Sequence, residues 1–234
     1  MKETDRKFSV WEHLEELRRR LLFAVIGLVI CLTASFFFTE KVILFLSNPV
    51  GGLENLQAIE VTENVSVYMK VALLSGFTIS LPWIFFQLLK FVIPGLTKTE
   101  RRWLILSIPF ATILFLSGVA FAFYVMLPSA MPILTQFLGI NTTIRVKSYI
   151  DFITNLMFWI GVSFELPLIV FILARLGLIR AKTLISGWRY AIIAIAIMAA
   201  LITPTVDPVN MAIFMLPLIL LYLLSILLAK FAQK

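Results

Sequence analysis

The sequence predicts an all-α integral membrane protein with six transmembrane helices and both termini in the cytoplasm. Of its 234 residues, 61% are hydrophobic and 14% are charged, against about half and a quarter in soluble proteins. Apolar stretches of about twenty residues, enough to cross a hydrocarbon core ~30 Å thick, recur along the chain. Lysine and arginine concentrate in alternate connecting segments, which sets the expected orientation.

The whole chain, residues 1–234, is predicted to form a single transmembrane domain. The six spans are expected at about 21–38, 68–94, 103–128, 150–174, 190–204 and 209–229. The first apolar run is too long for a cleavable signal peptide and lacks a small-x-small cleavage site. With the N-terminus inside, sixteen lysines and arginines fall on the inner side and four on the outer side. This asymmetry predicts two cytoplasmic termini.

Prolines and one short span are expected to shape the bundle. Interior prolines occur in four spans, at Pro82, Pro109, Pro167 and Pro217. Each removes a backbone donor and kinks its helix, which predicts a curved bundle with concave space between helices. The fifth span has only fourteen residues between Arg189 and Pro204, or about 21 Å of helix. We expect local thinning of the bilayer there, or shielding of the outer end by a partner or a loop.

Two long outer loops are predicted, at about 39–67 and 129–149. The residues expected to break helices there are Pro49, Gly51 and Gly52 in the first loop, and Pro128 and Pro132 in the second.

A carboxyl group lies deep inside the fourth span. Glu165 is ten residues from Arg175 and fourteen from Asp151, which puts it near the middle of the hydrocarbon layer. Holding a carboxyl at that depth costs about 2.5–3.5 kcal/mol on insertion scales, so Glu165 is a candidate functional residue. Gln87, at similar depth in the second span, is its candidate hydrogen-bond partner.

The N-terminal segment, residues 9–20, is predicted to form an amphipathic helix on the inner surface, within a cytoplasmic segment 1–20. Four-residue spacing predicts the ion pairs Glu15–Arg19 and Glu16–Arg20. Taken alone, this pattern fits a solvated, ion-paired helix better than a binding site. Glu100 opens the third span, where capping that helix is the simplest role. A binding role requires Glu100 and an N-terminal glutamate to face one cytoplasmic patch.

Several classes of function find no support in the sequence. We find no phosphate-binding loop, zinc-protease helix or plausible Ser/His/Asp set, and with one Cys and one His we predict no metal or cofactor site. The net charge of +7 fits the inner-side excess better than nucleic-acid binding. A proton-coupled small-solute transporter that uses Glu165 remains an alternative. It is supported by the similarity between residues 76–86 of span two and residues 161–171 of span four, each of which contains a proline. An intramembrane enzyme lacks a second catalytic group near Glu165.

Four short motifs occur in order along the chain: HLEELRRRL at 13–21, KTERR at 98–102, FELP at 164–167 and LITP at 201–204. With the six-span layout, they resemble the TatC family, the polytopic receptor subunit of the twin-arginine protein translocase. The resemblance covers essentially the whole chain. It implies a glove-shaped bundle in the bacterial inner membrane that binds twin-arginine signal peptides of folded cargo and has no enzymatic activity. It also implies TatA-like and TatB-like single-span partners, a homo-oligomeric receptor complex, and transport driven by the proton-motive force.

The resemblance further implies roles for residues on the cytoplasmic side. Glu16 and Glu100 match the two glutamates that contact the signal-peptide arginines. A guanidinium pairs two N–H donors with one carboxylate, a geometry that lysine cannot reproduce. Arg18 matches an arginine that orients the Glu16 helix, and Phe91 matches a position at the end of the second span.

The remaining matches lie in the membrane and in the outer loops. Glu165 matches the intramembrane glutamate on the concave face, expected to attract a polar group of a partner helix or of the inserted signal hairpin. Thr203 and Asn210 resemble the polar cluster where the single-span partners dock. Pro49 matches a position in the first outer loop. Asp207 matches the outer aspartate only loosely, because its loop is one residue longer than is common in the family.

Overall fold

The computed structural model describes residues 10–92, 98–136, 143–202 and 208–233. The helices in chain order are α1 (Val10–Ser35), α2 (Thr39–Ser47), α3 (Glu63–Val92), α4 (Lys98–Phe121), α5 (Leu127–Gln136), α6 (Val146–Phe164), α7 (Leu166–Arg175), α8 (Ala181–Ser186), α9 (Trp188–Ile202) and α10 (Pro208–Ala232). Two strands of two residues each, β1 (Leu56–Gln57) and β2 (Ile144–Arg145), pair in parallel.

Six helical segments of the described residues correspond in order to the six predicted spans. Four described segments are long and apolar enough to cross a membrane: Glu63–Phe91, Leu104–Pro132, Val146–Arg175 and Met211–Ala232. α1 and α2 pass the same test only together, as a pair bent by 72°. The short apolar helix α9, with 15 residues, is the sixth. The predicted all-α membrane class is therefore confirmed, and the fifth span is short as predicted.

The N-terminal segment differs from its prediction. Residues 9–20 were expected to form a separate surface helix, but α1 runs without a break from Val10 to Ser35. The physical reason is local, because residues 10–20 contain neither glycine nor proline, and the first glycine of α1 is Gly27. The end of the bundle at which α1 begins and α10 ends is called the terminal end below.

The two long loops also contain more helix than predicted. In the first, α2 occupies Thr39–Ser47, and the helix ends where the sequence predicted, with Pro49 in a 3-10 turn and Gly51 at φ 84°. In the second, Pro128 does not end the helix, which continues through α5 to Gln136. A π-helical turn, Ala122–Met126, ends two residues before this proline. Such local adjustments satisfy the carbonyl groups that an interior proline frees.

α1 and α3 pack as an antiparallel pair. Gly76 makes the close approach possible, because a Cβ atom there would lie 2.6 Å from the Cα of Leu32. Toward one end, Tyr68 donates a hydrogen bond to the carbonyl of Phe36 at 2.6 Å. Toward the other, the indole of Trp83 donates to the carbonyl of Phe23 at 2.8 Å. The paired residue numbers fall in α1 as they rise in α3, which fixes the relative direction of the two helices.

α6 is the central helix of the bundle. Ile150, Ile153, Leu156 and Ile160 are completely buried, at the spacing of one helix face. Two contacts fix α6 parallel to α3. Lys70 lies 2.7 Å from Asp151, and seven residues further along both helices Phe77 packs edge-on against Phe158.

A polar cap closes the end of the bundle opposite the terminal end. We define the cap as the described residues 36–62 and 143–145, which include β1 and β2. Arg145 of β2 pairs with the buried carboxylate of Glu63, and with Glu60 at 2.7 Å. The hydrogen bonds that Arg145 donates to these carboxylates, above all the one to Glu63, raise the pKa of its guanidinium. Tyr149 adds a buried hydrogen bond to the carbonyl of Leu46 at 2.7 Å.

Candidate functional site

Glu165 lies at the break between α6 and α7. Pro167 follows in the first turn of α7, where its missing N–H costs no helical hydrogen bond. The backbone of Glu165 stays helical, and its N–H donates to the carbonyl of Val162 at 3.1 Å. The residue is only 3% exposed, and neither carboxyl oxygen has a hydrogen-bond partner among the described residues. A buried polar group without a partner costs free energy, so Glu165 retains unused capacity to bind.

α4 packs closely against α6 just before this break. A Cβ atom on Gly118 would lie 2.9 Å from the Cα of Gly161 and 2.8 Å from the ring of Phe164. In return, a Cβ atom on Gly161 would lie 2.7 Å from the ring of Phe115. The two glycines therefore set the distance between α4 and α6 one turn away from Glu165.

The hydrogen bond expected between Gln87 and Glu165 is not formed. Gln87 is 3% exposed, and its side-chain oxygen also has no partner among the described residues. The parallel register of α3 and α6 gives the reason. From the level where Phe77 meets Phe158, Gln87 lies ten residues further along and Glu165 only seven. The difference of three residues separates the two side chains in depth by about 4.5 Å.

The second candidate site lies at the terminal end. Glu16 is half-buried on α1 and forms the predicted ion pair with Arg20. The other predicted pair is replaced, because the Arg19 guanidinium lies over the ring of Phe23 at 5.7 Å. Arg18 is exposed on the same helix.

Antiparallel packing brings Phe91 to the same level as Glu16. The Trp83–Phe23 hydrogen bond is the reference point. Glu16 lies seven residues before Phe23, and Phe91 lies eight residues after Trp83 in the last turn of α3. At about 1.5 Å per residue, these distances differ by the rise of a single residue. The two candidate residues therefore occupy one end of the α1–α3 pair.

The other candidate residues lie partly outside the described residues. Thr203 and Asp207 are outside entirely. Glu100 and Asn210 lie in the first turns of α4 and α10, and their side chains are outside the described part of the structure. Pro49 is exposed, in the 3-10 turn that follows α2.

Sequence reasoning missed two groups of residues. The ion pairs Lys70–Asp151 and Arg145–Glu63 each join residues about eighty positions apart. The only signal available was the presence of an acid and a base near the same predicted end of two spans. The packing glycines Gly76, Gly118 and Gly161 were missed because small residues in an apolar run carry no sign of their partner.

Comparisons with known proteins agree with these features. The family model described as "Sec-independent protein translocase protein (TatC)" matches residues 12–217. A protein of that name from Carboxydothermus hydrogenoformans is 35% identical over 98% of this chain and 96% of its own length. Its counterpart from Deinococcus radiodurans is 36% identical over 94% of this chain and 85% of its own length.

Solved structures give the same result. A crystal structure of the twin-arginine translocase receptor TatC matches with a TM-score of 0.83 and 31% identity, covering 95% of this chain and all of the other. That protein is an all-helical membrane protein with six helices. On sequence, length and fold together, the chain belongs to the TatC family of Sec-independent protein translocase proteins.

Proposed function

We propose that the chain is the receptor of a twin-arginine translocase, in a bacterial inner membrane with both termini in the cytoplasm. It would bind twin-arginine signal peptides of folded proteins at its terminal end, without catalysing a reaction. Membership of a translocase family favours this role over a small-solute transporter. The observation that carries the proposal is the state of Glu16, whose half-buried carboxylate already accepts the guanidinium of Arg20.

Exchange of one guanidinium for another is the proposed recognition step. A partly exposed four-apart pair contributes only about 0.3–0.5 kcal/mol. An arginine of a bound peptide could therefore replace Arg20 at little cost. Glu100 would bind the second arginine, and Phe91, level with Glu16, would contact the apolar part of the peptide. Arg18 would orient the helix that carries Glu16.

The binding test uses a synthetic signal peptide with paired arginines, and a second peptide with paired lysines. We expect the purified chain to prefer the arginine peptide, because lysine cannot form the two-pronged bond. Glu16→Gln and Glu100→Gln should each weaken its binding about tenfold or more, since each removes a charge-assisted hydrogen bond. Fluorescence anisotropy in detergent measures the affinities.

Glu15→Gln is the matched control, because Glu15 is an exposed neighbour on the same helix. It should leave the preference for arginine intact. Undiminished selectivity in the variant that changes both Glu16 and Glu100 would overturn the proposal.

We also propose that the buried oxygens of Glu165 and Gln87 receive a polar group from a partner helix or an inserted signal hairpin. Their lack of partners among the described residues supports this role. Thr203 and Asn210 would dock TatA-like and TatB-like single-span subunits, while Pro49 and Asp207 would shape the loops opposite. Copies of the chain would assemble into the receptor complex.

Substitution of Glu165 separates hydrogen bonding from charge. Glu165→Ala should sharply reduce both partner crosslinking and transport, because no acceptor remains. Glu165→Gln keeps the shape and hydrogen-bonding groups and should retain much of both. Site-specific photocrosslinking with a transport assay gives the two readouts. Unchanged crosslinking in the alanine variant would contradict this role.

A further inference from the structure

Several large apolar side chains lie on the surface of the cap. Four of them are called the rim below: Phe37 is 90% exposed, Leu44 49%, Ile59 73% and Val61 95%. Phe37 and Val61 are more exposed than any other large apolar side chain among the described residues. Such side chains are unfavourable in water, so the position of the rim relative to the bilayer decides what covers it.

The length of α3 places part of the rim at one surface of the bilayer. The apolar segment Glu63–Phe91 has 29 residues, which rise about 43 Å. A bilayer with both headgroup layers is about 40–45 Å thick, so Glu63 lies close to its surface on the cap side. Ile59 and Val61 come just before Glu63, and the backbone N–H of Ile59 donates to the Glu63 carboxylate at 3.3 Å. These two rim residues therefore lie at the level of the headgroups.

Phe37 lies at nearly the same level. The hydroxyl of Tyr68 donates to the carbonyl of Phe36 at 2.6 Å, and the two rings stack with centroids 5.9 Å apart. Tyr68 is five residues after Glu63, or about 7.5 Å further along α3. Interfacial helices bury their apolar side chains to a depth of about 5–10 Å, and Phe37 falls within such a layer.

α2 runs across the bundle axis at this level. α1 packs along α3, and α2 bends away from α1 by 72°. Thr39, Leu46 and Ser47 are buried on one face of α2, whereas Lys41 and Leu44 are exposed on the other. A short helix near the membrane plane, with exposed apolar and basic side chains, has the features of an interfacial anchor.

We propose that the rim is embedded in the lipid headgroup layer on the cap side, where α2 acts as an interfacial anchor. The rim continues the apolar outer surface of the spans, which lipid covers. A protein that covered the rim would have to displace this lipid. Lys41 can extend its ammonium group to lipid phosphates while its apolar stem stays among the acyl chains. The anchor fixes the depth of the cap, a role separate from recognition of a signal peptide.

The test measures the depth of spin labels in the full chain, in vesicles of phosphatidylethanolamine and phosphatidylglycerol. Cys31, the single cysteine, is first changed to serine, and labels are attached to Phe37→Cys, Val61→Cys and Glu54→Cys. Labels at 37 and 61 should collide several-fold more with oxygen, which dissolves in lipid, than with a water-soluble nickel chelate. Glu54 is an exposed charged residue of the same cap, and its label should show the opposite preference.

Two results would overturn the embedding of the rim. Preferential collision with the nickel chelate at 37 and 61 would place the rim in water. Protection of both labels from both reagents would mean that protein covers the rim, for example a second copy of the chain.

Added charge tests whether the rim holds α2 in the lipid. In a chain labelled at Leu44→Cys, changing Phe37 and Val61 together to aspartate should raise collisions with the nickel chelate several-fold, because carboxylates are drawn toward water. Both side chains are almost fully exposed, so no packed group is displaced. Phe37→Trp is the control and should change nothing, because indole favours the interface. Unchanged collisions in the double aspartate variant would refute the anchoring role.

Discussion

Replacing Gly118 with valine is expected to destabilise the bundle severely, by about 3 kcal/mol or a little more. The new side chain would meet the Cα of Gly161 at 2.9 Å and the ring of Phe164 at 2.8 Å. A backbone atom cannot rotate away, so α4 and α6 must separate. The central helix α6 would then lose packing along its length. The melting temperature in detergent should fall by about 10 °C.

Ser117→Val is the matched control for this change. It adds the same side chain at the neighbouring position, where Ser117 is exposed on the surface of α4. It should shift the melting temperature little, because nothing packed has to move. A small effect of Gly118→Val, comparable with that of the control, would mean that α4 and α6 can move apart without loss.

Removing the carboxylate of Glu63 is expected to loosen the cap. Glu63 is 1% exposed and pairs with Arg145, and it also accepts a hydrogen bond from the backbone N–H of Ile59 at 3.3 Å. In Glu63→Ala, Arg145 and the backbone N–H of Ile59 both lose this buried acceptor, so the ion pair and the hydrogen bond that join the start of α3 to the cap are lost. The melting temperature should fall by many degrees. Hydrogen exchange should rise first in residues 56–63 and 143–146.

Glu60→Ala tests whether charge or burial is responsible. Glu60 binds the same arginine, but its side chain is 58% exposed. Removing it should cost little, because exposed ion pairs contribute little and water replaces the lost contact. Equal decreases of the melting temperature in the two variants would show that the burial of Glu63 does not make its ion pair more stabilising.

The sequence was sufficient to predict most of the fold. Apolar length predicts the helical spans, and the structure has four long apolar segments, the bent pair of α1 and α2, and the short helix α9. Local rules failed where several features competed. Pro128 suggested a helix end, but the π-helical turn before it allowed the helix to continue. The polar segment before Leu21 suggested a separate surface helix, but nothing in it breaks the helix.

The candidate sites were predictable to different degrees. The Glu16–Arg20 pair follows from four-residue spacing, which depends on one helix only. The burial of Glu165 follows from its distance to the nearest charges. By contrast, the register of α3 against α6 depends on packing between distant segments, so the expected bond from Gln87 was wrong. The partners of Arg145 lie about eighty residues away in the chain, beyond any local pattern.

The shortness of α9 has a consequence for any helix that associates beside it. Its 15 described residues rise only about 22 Å, which is about 8 Å less than a hydrocarbon core of ~30 Å. A partner helix whose hydrophobic stretch is equally short can pack beside α9 without tilting. A helix with a longer hydrophobic stretch would have to tilt, or place its polar ends in the hydrocarbon layer. We therefore expect a helix that packs against α9 to be selected partly by the length of its hydrophobic stretch.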